Sequence, residues 1–175
     1  MTNYFIVPGL GGSDDNHWQT QFEKTQPNFK QIQQKDWDHP DIEEWAGNVE
    51  KAIAGYDPET VVLVAHSLGC LTVVEWARHY QGKIKAAMLV APPDAALVER
   101  KIKQKLVVTS PASKVLFPTI VVASSNDPWI SVENSLLYAE MWGSKYVNIG
   151  EAGHINNLSG FGKWEEGLAI LKTLG

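Results

Sequence analysis

The sequence predicts an α/β fold: a mainly parallel sheet of about six strands with helices on both faces. Three observations carry this. Short apolar, β-branched runs recur along the chain, and each is followed by a stretch suited to a helix. The central runs are continuously apolar, as strands buried on both faces must be. The chain of 175 residues is long enough for a substantial core and shows no repeat, linker or low-complexity segment. Residues 1–175 therefore read as one domain.

The elements follow in order. "YFIVP" at 4–8 is the first strand, closed by Pro8 and the loop "GLGGSDDN". Residues suited to capping place the first helix start between Ser13 and Asn16. "FKQIQQKDW" at 29–37 is a weak strand. Ile42, Trp45, Ala46, Val49, Ala52, Ile53 and Tyr56 then follow the spacing of an amphipathic helix. "VVLVA" at 61–65 is a buried strand, and its helix runs to about Tyr80. "AAMLVA" at 86–91, "TIVVAS" at 119–124 and "KYVNIG" at 145–150 complete the strands. A closing helix is expected over 163–174, with Trp164, Leu168 and Leu171 on one face.

Composition narrows the function classes. Hydrophobic residues make up 44% and charged ones 20%, as in soluble globular proteins. A formal net charge of −5 provides no footprint for nucleic acid or an anionic membrane. The densest basic run, "RKIKQK" at 100–105, adjoins Glu99 and reads as a solvated helix face. Cys70 is the single cysteine, so no intrachain disulfide and no zinc pattern can be written. The start of the chain lacks the basic region of a signal peptide, and no run approaches a membrane helix. A cytoplasmic protein needing neither metal nor cofactor is expected.

In an open parallel sheet, ligands bind beyond the carboxyl ends of the strands. Three chemically capable residues fall there. Ser67 lies two residues past the strand at 61–65, Asp127 three past that at 119–124, and His154 just beyond that at 145–150. The order Ser, Asp, His is that of the α/β-hydrolase triad. "AHSLG" also fits a nucleophile elbow, where a strained strand-to-helix turn lifts a serine clear of the sheet. Gly69 supplies one of the small residues the turn needs, and Ala65 replaces the more usual glycine at the other. The N–H of Leu68, opening the helix, can face a developing oxyanion. A second donor is expected from the "PGLGGS" loop: Leu10, after Gly9, with Gly11 as the alternative.

With these residues in place, the chain resembles the compact bacterial α/β-hydrolases of the retinoblastoma-binding protein 9 family, also called YdeN-like serine hydrolases. The carriers are "VPGLGGSDDNHWQ" at 7–19, "DWDHPDIEEW" at 36–45, "HSLG" at 66–69, "SSNDP" at 124–128 and "AGHIN" at 152–156. The resemblance implies a small single-domain α/β-hydrolase fold with Ser67, Asp127 and His154 as triad. It does not imply a substrate.

Blander readings stand beside these. Ser67 could cap a helix, and Asp127 could make an Asx-turn before Pro128. Asp94, also after a strand end, is the second candidate acid, and Asn126 is a candidate neighbour of the site. Of the other four histidines, His66 should point away from the serine hydroxyl and His17 should pack at the first helix. His39 precedes Pro40 in a turn, and His79 lies on a polar helix side. Cys70 reads as a small core residue, and Trp129 as a candidate pocket wall.

The expected function is hydrolysis of esters or related acyl compounds through an acyl-enzyme on Ser67, with a small acyl substrate as partner. The rival is a protein-binding module that keeps the fold with little or no activity. A dinucleotide-binding domain is weaker, since G-x-G-x-x-G is broken at Asp14. The interval from Pro92 to Pro118 must hold a crossover helix, which leaves "PPDAALVE" or "TSPASKVLF" to form a flap but no large lid. A preference for short acyl chains follows.

Overall fold

A computed structural model describes residues 1–106 and 114–174. Six parallel strands form one sheet: β1 (Asn3–Val7), β2 (Phe29–Gln31), β3 (Val61–His66), β4 (Ala86–Val90), β5 (Thr119–Ala123) and β6 (Lys145–Asn148). Their order across the sheet is β2-β1-β3-β4-β5-β6. The described helices are α1 (Trp18–Thr25), α2 (Ile42–Ile53), α3 (Leu68–Tyr80), α4 (Ala95–Ile102), α5 (Val132–Trp142) and α6 (Glu165–Lys172). This is the parallel sheet with helices on both faces that the strand pattern predicts.

Two cores lie on the two faces of the sheet. Along β3, Val61, Leu63 and Ala65 face a core with α2, α3 and α5, while Val62 and Val64 face one with α1 and α6. Alternate residues of one strand thus serve opposite layers, which is why the run reads as continuously apolar. Trp18, Trp45, Trp76 and Trp142 are fully buried and anchor α1, α2, α3 and α5. Truncating a side chain of that size in a core typically costs about 3–5 kcal/mol.

The structure departs from the sequence reading at several element ends. The first helix begins at Trp18, and its cap is His17 rather than a residue of 13–16. Asp14 instead makes a turn of its own, accepting the N–H groups of Asn16 and His17. The weak strand at 29–37 is real for three residues only. The closing helix is shorter than expected, from Glu165 to Lys172. The sequence pattern gives no bounds for the helix after the run at 119–124; it lies at Val132–Trp142, as α5. Leu136 and Leu137 there are 41% and 48% exposed, so its apolar residues do not trace one face.

Pairing between β1 and β3 sets Val7 beside Ala65, so the loop after β1 emerges next to the corner after β3. The fold therefore brings "PGLGG" to Ser67 by register alone.

Candidate active site

The corner after β3 is strained. Ser67 has φ 53° and ψ −127°, a conformation that costs a residue with a side chain on the order of 1–3 kcal/mol. Its N–H is held by the carbonyl of Val90, at 2.9 Å. Its hydroxyl makes no capping bond to α3, so the capping interpretation of Ser67 does not hold.

The hydroxyl meets His154 instead. His154 Nε2 lies 2.8 Å from Ser67 Oγ, and His154 Nδ1 lies 2.9 and 3.0 Å from the two carboxylate oxygens of Asp127. The Asp127 carboxylate also accepts the N–H of Trp129, at 2.9 Å. The Asp127 and His154 side chains are 1% and 9% exposed, so the pair works in a medium where charge interactions are strong.

Asp94, the second candidate acid, is committed elsewhere. Its carboxylate caps α4 by accepting the N–H of Leu97, at 3.0 Å. Asn126 is a brace: its Oδ1 accepts the N–H of Gly153 at 2.7 Å, tying the β5 loop to the segment that carries His154. Ser124, beside it, accepts the N–H of Ala152 at 2.9 Å.

Backbone donors separate cleanly. Gly11 N–H donates to the carbonyl of Trp37 and Gly12 N–H to that of Gly9, at 2.9 and 3.0 Å. Neither Leu10 N–H nor Leu68 N–H has an acceptor among the described residues. Gly9 lets this loop come close: a Cβ there would meet Ser67 Cβ at 2.8 Å and the Leu68 nitrogen at 3.0 Å.

His66 makes no described hydrogen bond to the Ser67 hydroxyl, yet it lines the same cavity and is part of the site. Its Nε2–H donates to the backbone carbonyl of His154, at 2.9 Å. Burial, and then the neighbouring His154 and His17, push its imidazole well below the usual range, so the ring stays neutral. Sequence reasoning missed this brace because it joins the end of β3 to a loop 88 residues further on. His39 and His79 are exposed and lie outside the cavity lining, and Cys70 is buried, its thiol pushed up by burial.

A cavity of about 300 Å³ opens over Ser67, lined by Leu10, Val98 and Trp129 as well as by His17, Asn156 and Asn157. Lys101 stacks on the indole of Trp129, 3.7 Å from its centre. Of the two candidate flaps, "PPDAALVE" includes the first half of α4, and "TSPASKVLF" lies partly outside the described residues. No described group of three or more His, Cys, Asp or Glu is arranged to hold a metal. No described helix is long and apolar enough to cross a membrane.

Comparison with known proteins bears on the family and the fold. The chain matches the serine hydrolase family over residues 4–173. A solved structure described as a YdeN-like hydrolase, from Pectobacterium atrosepticum, is 35% identical, with a TM-score of 0.87 over 99% of this chain and 90% of that one. The ydeN gene product of B. subtilis is 19% identical and superposes with a TM-score of 0.84 over 99% and 98% of the two chains. A thermophilic esterase from Thermogutta terrifontis, at 16% identity, shares the fold with a TM-score of 0.67 over 99% and 89%. No relative was found among curated proteins. The match across nearly the whole chain, with the 35%-identical relative, shows that this chain belongs to the serine hydrolase family.

Proposed function

We propose that the protein is a carboxylesterase-like serine hydrolase that cleaves esters of short acyl groups through an acyl-enzyme on Ser67. The observation that carries this reading is the continuous path from Asp127 through His154 to Ser67, with bonds of 2.9 and 2.8 Å. His154 takes the Ser67 proton as the hydroxyl attacks the carbonyl carbon. Asp127 holds the imidazole in the tautomer that leaves Nε2 free to accept, and stabilises the cation that forms. The free N–H groups of Leu10 and Leu68 receive the oxyanion; removing one such donor typically costs about 10²–10³ in turnover. His154 then gives its proton to the leaving oxygen. Water repeats the attack on the acyl-enzyme and frees the carboxylic acid.

The short-acyl preference is supported by the size of the cavity, about 300 Å³, whose apolar wall is formed by Leu10, Leu68, Val98, Trp129 and Leu158. Each further CH₂ gains up to about 0.8 kcal/mol only where a wall receives it. The test is a series of p-nitrophenyl esters from about two to sixteen carbons, a span in which each added CH₂ is expected to matter. Highest kcat/KM on acetyl to butyryl esters supports the reading. A steady climb to the long chains contradicts the acyl preference. No turnover of any ester favours the rival reading, a binding module on the same fold.

A further inference from the structure

The segment "SDDNH" at 13–17 is part of the site, although neither Ser67 nor its immediate partners need it. Asp14 is its hub. One carboxylate oxygen accepts the N–H of His17 at 3.1 Å, and the other accepts the Asn157 amide. The start of α1 and the turn after His154 are thereby joined into one polar wall, with His17, Asn156 and Asn157 all facing the cavity over Ser67. Leu10, Leu68, Val98, Trp129 and Leu158 supply its apolar lining.

His17 is 5% exposed and borders the cavity. Its Nδ1 accepts the N–H of Gln19, at 3.2 Å, as the cap of α1. A ring that accepts at Nδ1 and is neutral carries its proton on Nε2. Burial lowers this imidazole to about 4, with Asp14 opposing that shift and His154 adding to it, so the neutral form prevails near pH 7. Nε2–H has no described protein acceptor, and it is not among the polar atoms sealed away without a partner. A neutral ring with one donor left over therefore belongs to the cavity lining, beside the ring of His66 at 4.7 Å.

His154, which has to deliver its proton to the leaving oxygen, lines the same cavity as His17, Asn156 and Asn157. His17 is joined to Asn157 through Asp14. We propose that His17 Nε2–H binds a hydroxyl oxygen on the leaving group, which makes the substrates short-acyl esters of hydroxylated alcohols such as diols and polyols. This inference rests on the acyl-hydrolase reading above and adds the alcohol half of the substrate.

A matched pair of substrates tests it: 2-hydroxyethyl acetate and propyl acetate, which have nearly the same shape and differ in the hydroxyl. The readout is the ratio of their kcat/KM values. For the unaltered protein this ratio exceeds the ratio of their hydroxide-catalysed rates. In His17→Asn, whose side chain can still cap α1 but does not reach the Nε2 position, the ratio falls about fivefold to tenfold, the range for one hydrogen bond. In His17→Gln, whose amide nitrogen reaches that position, the ratio recovers while the cap weakens. An enzymatic ratio no greater than the hydroxide ratio overturns the proposal, whatever the variants do. So does an unchanged ratio in His17→Asn, or an equal loss in both variants. Absence of turnover on both acetates and on p-nitrophenyl acetate overturns the acyl-hydrolase reading itself, so the two failures are distinct.

Discussion

Gly69 and the carbonyl of Val7 are in direct apposition: a Cβ on Gly69 would stand 2.2 Å from that oxygen and 2.7 Å from the oxygen of Pro8. The helix that follows Ser67 thus packs against backbone, which cannot rotate away as a flexible side chain can. Gly69→Ala is expected to destabilise the fold by at least about 2 kcal/mol, within the range for overpacking a tight site. Chemical denaturation measures this. A loss below about 0.5 kcal/mol, the usual effect of a neutral surface change, would mean that the corner yields easily.

Asp127 and Asp94 are expected to differ in what they contribute to activity. Asp127→Asn is expected to lower kcat by several orders of magnitude, comparable with the about 10⁴-fold loss in the well-studied serine protease triad. Asp94→Ala removes the cap of α4 and is expected to cost about 1 kcal/mol of stability, with no comparable loss of kcat. Kinetics and melting of the two variants side by side check both statements. The opposite pattern would move the acid to the β4 end.

His66 is a positioning residue for His154. In His66→Phe the His154 carbonyl loses its buried donor, a loss worth about 1–3 kcal/mol. Expected is a fall in kcat of about 10-fold to 100-fold if most of that energy holds His154 in register, with KM changing much less. His66→Gln, which offers an N–H at a similar reach, should recover part of kcat. Equal losses in kcat for the Phe and Gln variants would reduce His66 to a packing role.

The two buried neutral histidines make stability pH-dependent. His17 is lowered to about 4 in the fold from 6.5, its ordinary value, so between those limits the unfolded chain binds more protons than the folded one. This contribution to stability is therefore intact above pH 6.5 and is lost as pH falls toward 4. His17 alone should remove about 2 kcal/mol between pH 7 and 5, and His66 adds in the same direction. Urea unfolding at the two pH values measures it, and His17→Asn should flatten the slope. An identical slope in that variant would contradict the assignment.

Much of this was legible in the sequence because the sheet is parallel and buried. β3, β4 and β5 declare themselves by continuous apolar runs, and the rule that sites lie beyond strand ends then singles out Ser67, Asp127 and His154. What stayed hidden depends on contacts between distant loops. That Asp94 caps α4 rather than facing His154 follows from the path of the chain after β4. Gly11 N–H is spent on Trp37, which leaves Leu10 as the free donor. The roles of His17, Asp14 and His66 rest on polar pairings that no periodicity signals. β2 and α5 were the weakest elements to read, the first for its three residues and the second for its exposed leucines.

The central claim is that Ser67 is the nucleophile activated by His154, and covalent labelling tests it most directly. A fluorophosphonate probe should add one adduct per chain, which mass spectrometry of the digested protein should locate on the Ser67 peptide. The adduct should vanish in Ser67→Ala and persist in Cys70→Ala. Undiminished labelling of Ser67→Ala, or labelling lost in Cys70→Ala with Ser67 intact, would contradict the account.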